Sequence, residues 1–203
     1  GRERLEGVTV AEVDPKTHRP IAGTERDYDC DTLLLSVGLI PENELSRMAG
    51  VRLSPATKGA VVDENLETSV PGVFSCGNVL HVHDLVDYVS EEAGQAGKNA
   101  AAFLRGEQKE TGRTIPVVDG FGVSGAVPQK IHVGGADEAV NVMFRPRGVY
   151  RNAKIVVSAG DRELYSRKAR ILTPGEMVNL KLRPEQLRRI GDAAELAVKV
   201  EAS

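Results

Sequence analysis

His81 and His83 stand one residue apart, in a loop that follows Gly77-Asn78 and leads toward a helix beginning near Asp84. Two imidazoles this close can ligate a metal or move protons near neutral pH. A metal needs more donors than a pair, and no cysteine or carboxylate cluster in the sequence completes a recognisable set, so no metal is expected. Proton transfer is then the sharper reading, and loop histidines that only bond backbone the plainer one. Gly77 and Asn78 offer another chemistry. The turn Val70-Pro71-Gly72 delivers a short apolar run, Val73 to Cys76, which reads as a buried strand ending at Gly77, where the missing side chain lets another group approach. Strand, glycine, short polar side chain and helix N-terminus in that order make a place to hold a polar ligand. Asn78 also suits a simple turn in the left-handed conformation. Cys30 and Cys76 lie in apolar runs without a C-x-x-C spacing, so buried thiols are expected in preference to a redox disulfide. His18, in the turn Asp14–Pro20, reads as a solvated surface histidine.

The elements that position these residues are legible by period. Asp84 is a candidate N-cap, and Asp87 puts a carboxylate in the first turn, where the helix dipole favours it. Val86, Val89, Ala93, Ala96, Ala100 and Phe103 recur at helical steps and predict an apolar face. Gly94 and Gly97 cost about 1 kcal/mol each in a helix interior, which makes sense if the helix packs closely on another backbone. Gly106 ends it. Upstream, Leu5–Val13 alternates as a half-buried strand with an irregularity at Gly7. A second strand runs through Ile21 toward Tyr28, and the pair predicts a hairpin feeding Leu33–Val37. Leu33-Leu34-Leu35 has no alternation and predicts a strand covered on both faces. Gly38 then serves either a tight turn or backbone close to a ligand. Asn43 is placed to cap a short helix over Glu44–Met48, and Lys58–Asp63 predicts a strand.

After a charged linker, Arg105–Arg113, the pattern changes to short β-type runs: Val140–Phe144, Lys154–Ser158, Leu164–Ser166, Ala169–Leu172, Met177–Leu182 and Leu196–Glu201. Turn signals separate them. This predicts a small antiparallel sandwich, immunoglobulin-like in architecture, with one short helix over Glu185–Ile190. The basic stretch Ser166–Arg170 reads as a solvated strand face. With 41% apolar residues in 203 a packed core is available, while a net charge of −3, dispersed basic residues and no Trp give no reason to expect nucleic acid. No apolar run is long enough to span a bilayer, and unpaired cysteine usage points to the cytoplasm. The chain opens on Gly1 with mid-domain sequence and is expected to be a fragment, a processed chain or a cloned piece.

Thr68 to Gly77 with Asn78 resembles the second flavin-binding motif of the FAD-dependent pyridine nucleotide-disulfide oxidoreductase superfamily, in which a threonine, a turn and an apolar strand lead to Gly-Asp. Cys30 to Asn43, with Val37-Gly38-Leu39-Ile40-Pro41, resembles the family's buried strand ending in Val-Gly-x-x-Pro-Asn. The two occur in the family's order and at about its spacing, and Gly-Asn in place of Gly-Asp is similar to a subgroup associated with glycerol-3-phosphate dehydrogenases. The resemblance implies the α/β returning part of a FAD-binding Rossmann-like domain over residues 1–112, followed by the all-β sandwich over residues 113–203. It implies FAD in the intact parent protein, with NAD(P) as a second cofactor, held here by Gly38, Pro41, Gly77, Asn78, Val79, Val86, Asp87 and Tyr88. It implies a dehydrogenase or electron-transfer subunit, or an identical copy, as partner. The Gly-x-Gly-x-x-Gly turn that cradles the pyrophosphate is missing; Gly120-Phe121-Gly122 and Gly134-Gly135 lie in β-type surroundings without the helix it needs. This chain alone is therefore expected to bind FAD weakly. The alternative is a non-catalytic scaffold or binding module, with a degenerate flavin domain and a sandwich that contacts another subunit.

Overall fold

The computed structural model describes residues 1–36, 38–107, 112–134 and 138–201. Part of the expected linker (108–111), Val37 and Gly135 lie outside these. The chain forms two compact units, Gly1–Leu39 and Ile40–Ser203.

The first unit is the expected hairpin. Strand β1 (Val8–Val10) pairs antiparallel with β2 (Arg26–Tyr28), Val8 opposite Tyr28, and a single bridge joins Val13 to Pro20 across the turn. Asp14 organises that turn, its carboxylate accepting from the Lys16 and Thr17 amides. Leu33–Leu35 departs from expectation. It forms no strand, and Leu34 and Leu35 are 90% and 72% exposed. A strand exists only where a neighbour takes its backbone hydrogen bonds, and none flanks this run among the described residues.

The second unit begins with the short helix α1 (Glu44–Met48) and continues through tight loops to α2 (Val86–Leu104). The strands expected over Lys58–Asp63 and Val73–Cys76 are each reduced to one bridge within a tight loop, Leu53 with Ala60 and Glu67 with Phe74. Ala60 and Val62 are buried nonetheless, while Val73, Phe74 and Cys76 are half-buried. Val51, Ala60, Val62, Leu66 and Leu80 pack with Ala96 of α2 and with Val127. Helix α2 ends as predicted: Gly106 takes φ +67° and its amide returns to the Phe103 carbonyl at 3.0 Å. Its buried face matches the predicted one at Ala96 and departs from it at Val86 and Ala93, which are exposed, and at Glu92, which is buried. Gly94 and Gly97 face open space, so close packing on another backbone does not explain them among the described residues.

Beyond the linker stand two sheets. One holds β5 (Lys130–His132), β3 (Thr114–Asp119), β10 (Leu196–Glu201), β7 (Tyr150–Ala159) and β8 (Arg162–Leu172) in that order; the other holds β4 (Val123–Val127), β6 (Val140–Pro146) and β9 (Val178–Leu182). Period-two alternation sets the core face: Leu196, Val198 and Val200 of β10 are buried, as are Val178, Leu180 and Leu182 of β9, and both sheets share one core centred on Phe144 and Ile155. Strand β3 pairs parallel with β10, a departure from the all-antiparallel expectation. Strands β3, β4 and β5 have no counterpart among the predicted runs. The runs at 164–166 and 169–172 are one strand, since the basic residues between them lie on its exposed face. The short helix α3 (Pro184–Arg188) overlaps the predicted one, starting one residue earlier and ending two earlier.

The two sheets and the helical part are joined inside this unit by side chains. Gln129 Oε1 accepts from the Val62 amide at 2.8 Å, and His132 on β5 meets Glu64. Arg145 on β6 donates to the Val82 carbonyl at 3.0 Å and to Asp84, which also accepts from the Met177 amide.

Candidate functional site

Asn43 brings the ends of the two sequence motifs together. It is buried, and its Nδ2 donates to the Val79 carbonyl at 2.8 Å and the Lys58 carbonyl at 3.1 Å. This replaces its expected role as a helix cap, since the side chain makes no cap hydrogen bond to α1. The segment carrying buried Pro41 is thereby tied to the turn Gly77-Asn78-Val79, which is a short 3-10 helix.

Gly77 is buried at φ +69°, a conformation glycine adopts at no steric cost, and a Cβ there would lie 3.2 Å from Val89 of α2. Asn78 is exposed; its Oδ1 accepts from the His83 amide at 3.1 Å. Helix α2 starts one residue later than expected. Leu85 occupies the cap position and supplies no side-chain acceptor, because Asp84 is held by Arg145 and Met177 instead. Burial works against ionisation of Asp84, but the Met177 amide and Arg145 outweigh it and keep the carboxyl below its ordinary value. Val86, Asp87 and Tyr88 of the first turn are all exposed. Gly38 belongs to the first unit, is exposed and takes φ +91°.

The histidines are not solvated loop residues. His81 Nε2 lies 2.7 Å from Glu92 Oε1 and His83 Nε2 lies 3.1 Å from Glu92 Oε2, with the rings 4.4 Å apart. Glu92 Oε2 also accepts from the Gly77 amide at 2.5 Å. Burial opposes ionisation of Glu92, yet the hydrogen bonds from His81, His83 and the Gly77 amide hold its carboxyl down at about 2. The expectation that no carboxylate completes the histidine pair is thus overturned by the fold. Glu92 is the residue that sequence reasoning missed, and a signal was present: it sits three residues after Val89 and four before Ala96, a carboxylate on the helix's inward stripe.

A cleft of about 920 Å³ opens in the same unit. Its walls include Asp63, Glu64, Tyr88, Glu91, Glu92 and His132, so of the eight residues expected to hold a cofactor only Tyr88 lines it. Cys76 is half-buried, and burial together with Glu92 raises its thiol pKa. Cys30 is likewise half-buried; both thiols are free.

Comparison with known proteins points toward one superfamily. Residues 4–100 match the family described as Pyridine nucleotide-disulphide oxidoreductase. That superfamily is supported. An NADH oxidase of Methanocaldococcus jannaschii is 29% identical over 120 residues, 59% of this chain and 22% of that protein. A dihydrolipoyl dehydrogenase of Bacillus subtilis is 29% identical over 109 residues, 53% of this chain and 21% of that protein. A ferredoxin–NADP reductase of Leuconostoc mesenteroides is 30% identical over 81 residues, 39% of this chain and 24% of that protein. The chain therefore spans between a fifth and a quarter of the length of these relatives. No solved structure matches it. These relatives are named as an oxidase, a dehydrogenase and a reductase. Among the described residues no helix of this chain is long and apolar enough to cross a membrane.

Proposed function

We propose that this chain forms one wall of the flavin site of a FAD-dependent oxidoreductase. Residues 1–112 are the returning part of its Rossmann-like domain, and residues 113–203 an immunoglobulin-like sandwich. The observation that carries the reading is the start of α2, which lacks a side-chain cap, exposes Val86, Asp87 and Tyr88, and follows the Gly77–Val79 turn after the loop over residues 80–85. A ring carbonyl with partial negative charge is stabilised at such a helix end by about 0.3–1 kcal/mol, and by more where it is shielded from water. Bound FAD supplies the two-electron chemistry, taking a hydride from a nicotinamide or small-molecule substrate and passing electrons to a partner. The chain's residues bind and orient. Gly77 keeps bulk away from the turn, and Asn43 fixes the Pro41 segment against Val79. Asn78 offers an uncharged amide where the related motif carries an acid, which lessens repulsion toward phosphate.

The Gly-Asn pair favours the subgroup associated with glycerol-3-phosphate dehydrogenases, with NAD(P) linkage and a dehydrogenase or electron-transfer subunit, or a second copy, as partner, in the cytoplasm. Engagement of the Asn78 oxygen by the His83 amide favours a second reading: a degenerate flavin domain acting as a scaffold, with the sandwich contacting another subunit. Flavin content separates the two. The full-length protein carrying this chain is expected to retain FAD on purification and to lose most of it on Asn78→Ala. This 203-residue chain alone is expected to bind FAD weakly, having no Gly-x-Gly-x-x-Gly cradle. A full-length protein without flavin, and with no uptake of added FAD, overturns the oxidoreductase reading.

A further inference from the structure

Two imidazoles and one carboxylate converge behind the Gly77 turn, and the flavin reading uses none of them. The side chains of His81, His83 and Glu92 are 5%, 0% and 4% exposed, and one donor atom from each lies within 4.8 Å of the others. We propose that His81, His83 and Glu92 form a binding site for a single divalent transition-metal ion of the zinc type.

The chemistry of the set selects the ion. Two imidazole nitrogens and one carboxylate suit Zn²⁺ and its first-row neighbours, whereas Ca²⁺ and Mg²⁺ require shells of oxygen that one carboxylate does not furnish. Donors bound at about 2.0–2.1 Å on a tetrahedral ion stand roughly 3.3 Å apart. The nitrogen–oxygen separations here are 2.7 and 3.1 Å, so a cation enters with a small parting of groups already gathered. Nothing at the far side of either ring resists the change. Both Nδ1 atoms are buried without a hydrogen-bond partner among the described residues, so no bond there fixes which nitrogen carries the proton. Each Nε2 can release its proton to Nδ1 and turn its lone pair to the metal. The Gly77 amide holds the carboxylate from outside, as outer partners of metal ligands do. Glu92 also lines the 920 Å³ cleft, which neither histidine does, so the cleft is the side from which an ion reaches the set.

The test uses the whole chain, stripped with chelator and without flavin, so that its outcome does not depend on the flavin reading. Zn²⁺ titration by calorimetry, with metal counted by mass spectrometry after dialysis, is expected to give one ion per chain. His81→Asn, His83→Asn and Glu92→Gln should each weaken binding by about 100-fold or more, since even outer partners of a ligand are worth about 10–100-fold. His18→Asn and His132→Asn should leave it unchanged. Should a variant fail to fold, the wild-type chain still decides by NMR: Zn²⁺ must move the ring resonances of His81 and His83, and Co²⁺ must give the visible bands of a four-coordinate site. Absence of stoichiometric binding, or ring shifts at His18 or His132 in place of His81 and His83, overturns the proposal and leaves a hydrogen-bonded charge cluster.

Discussion

The Glu92 carboxylate accepts the backbone N–H of Gly77 across 15 positions of sequence, locking the glycine turn onto the middle of α2. The same carboxylate receives His81 and His83, so one buried charge gathers a turn amide and two rings. Glu92→Gln keeps the volume and removes the charge. The variant is expected to lose about 2–3 kcal/mol in urea unfolding of the metal-free chain, because charge-assisted bonds become neutral and one donor goes unanswered. A loss under about 0.5 kcal/mol, the range of ordinary surface changes, means the cluster does not hold the turn.

Two glycines make opposite predictions. A Cβ on Gly59 would stand 1.8 Å from the Leu80 carbonyl oxygen, and Leu80 is fully buried, so Gly59→Ala forces backbone apart. The expected cost is at the upper end of the range for overpacking, about 3 kcal/mol. Gly94 lies inside α2 with nothing near its added Cβ, and Gly94→Ala is expected to stabilise by about 0.5–1 kcal/mol. Thermal unfolding of both variants checks the pair, and equal shifts in one direction contradict the packing described.

His132 carries a pH dependence whose sign is fixed. Its Nδ1 stands 3.0 Å from Glu64 Oε1 and 4.0 Å from Asp63 Oδ2, with Lys130 also close. The Glu64 hydrogen bond raises the imidazole pKa; burial and Lys130 oppose it, while the charges of Glu64 and Asp63 assist. A folded-state pKa above the unfolded value of about 6.5 means the stabilisation is complete below that value and is lost as pH rises through the folded one. The urea midpoint of the wild-type chain should therefore contain a His132 contribution that is present in full at acid pH and fades as pH rises through the raised folded-state pKa, and His132→Gln should remove that portion. A variant with the wild-type pH profile rules this contact out as its source.

Much of the fold was legible. The hairpin, α1, the body and end of α2, and five of the later strands carry their periodicities in single letters, because burial on one face fixes which positions are apolar. The runs Leu33–Val37 and Val73–Cys76 were read as strands from apolar content alone, but a strand also needs lateral partners, and apolar content does not say where they are. Asp84 looked like a cap because short acids cap helices; tertiary partners, Arg145 and the Met177 amide, took the carboxylate instead. The site was half legible. Gly77 and Asn78 are local features, whereas Glu92 joins His81 and His83 only after α2 has docked, and proximity through folding leaves no trace in adjacent letters.

The central claim is that the Gly77-Asn78 turn and the start of α2 receive a flavin. The direct measurement is amide NMR of the isotope-labelled chain titrated with FAD to millimolar concentration. The account predicts weak, saturable shifts at Gly77, Asn78, Val79, Val86, Asp87 and Tyr88. Shifts confined to Asp63, Glu64 and His132 in the acidic cleft, or no shifts at all, contradict it.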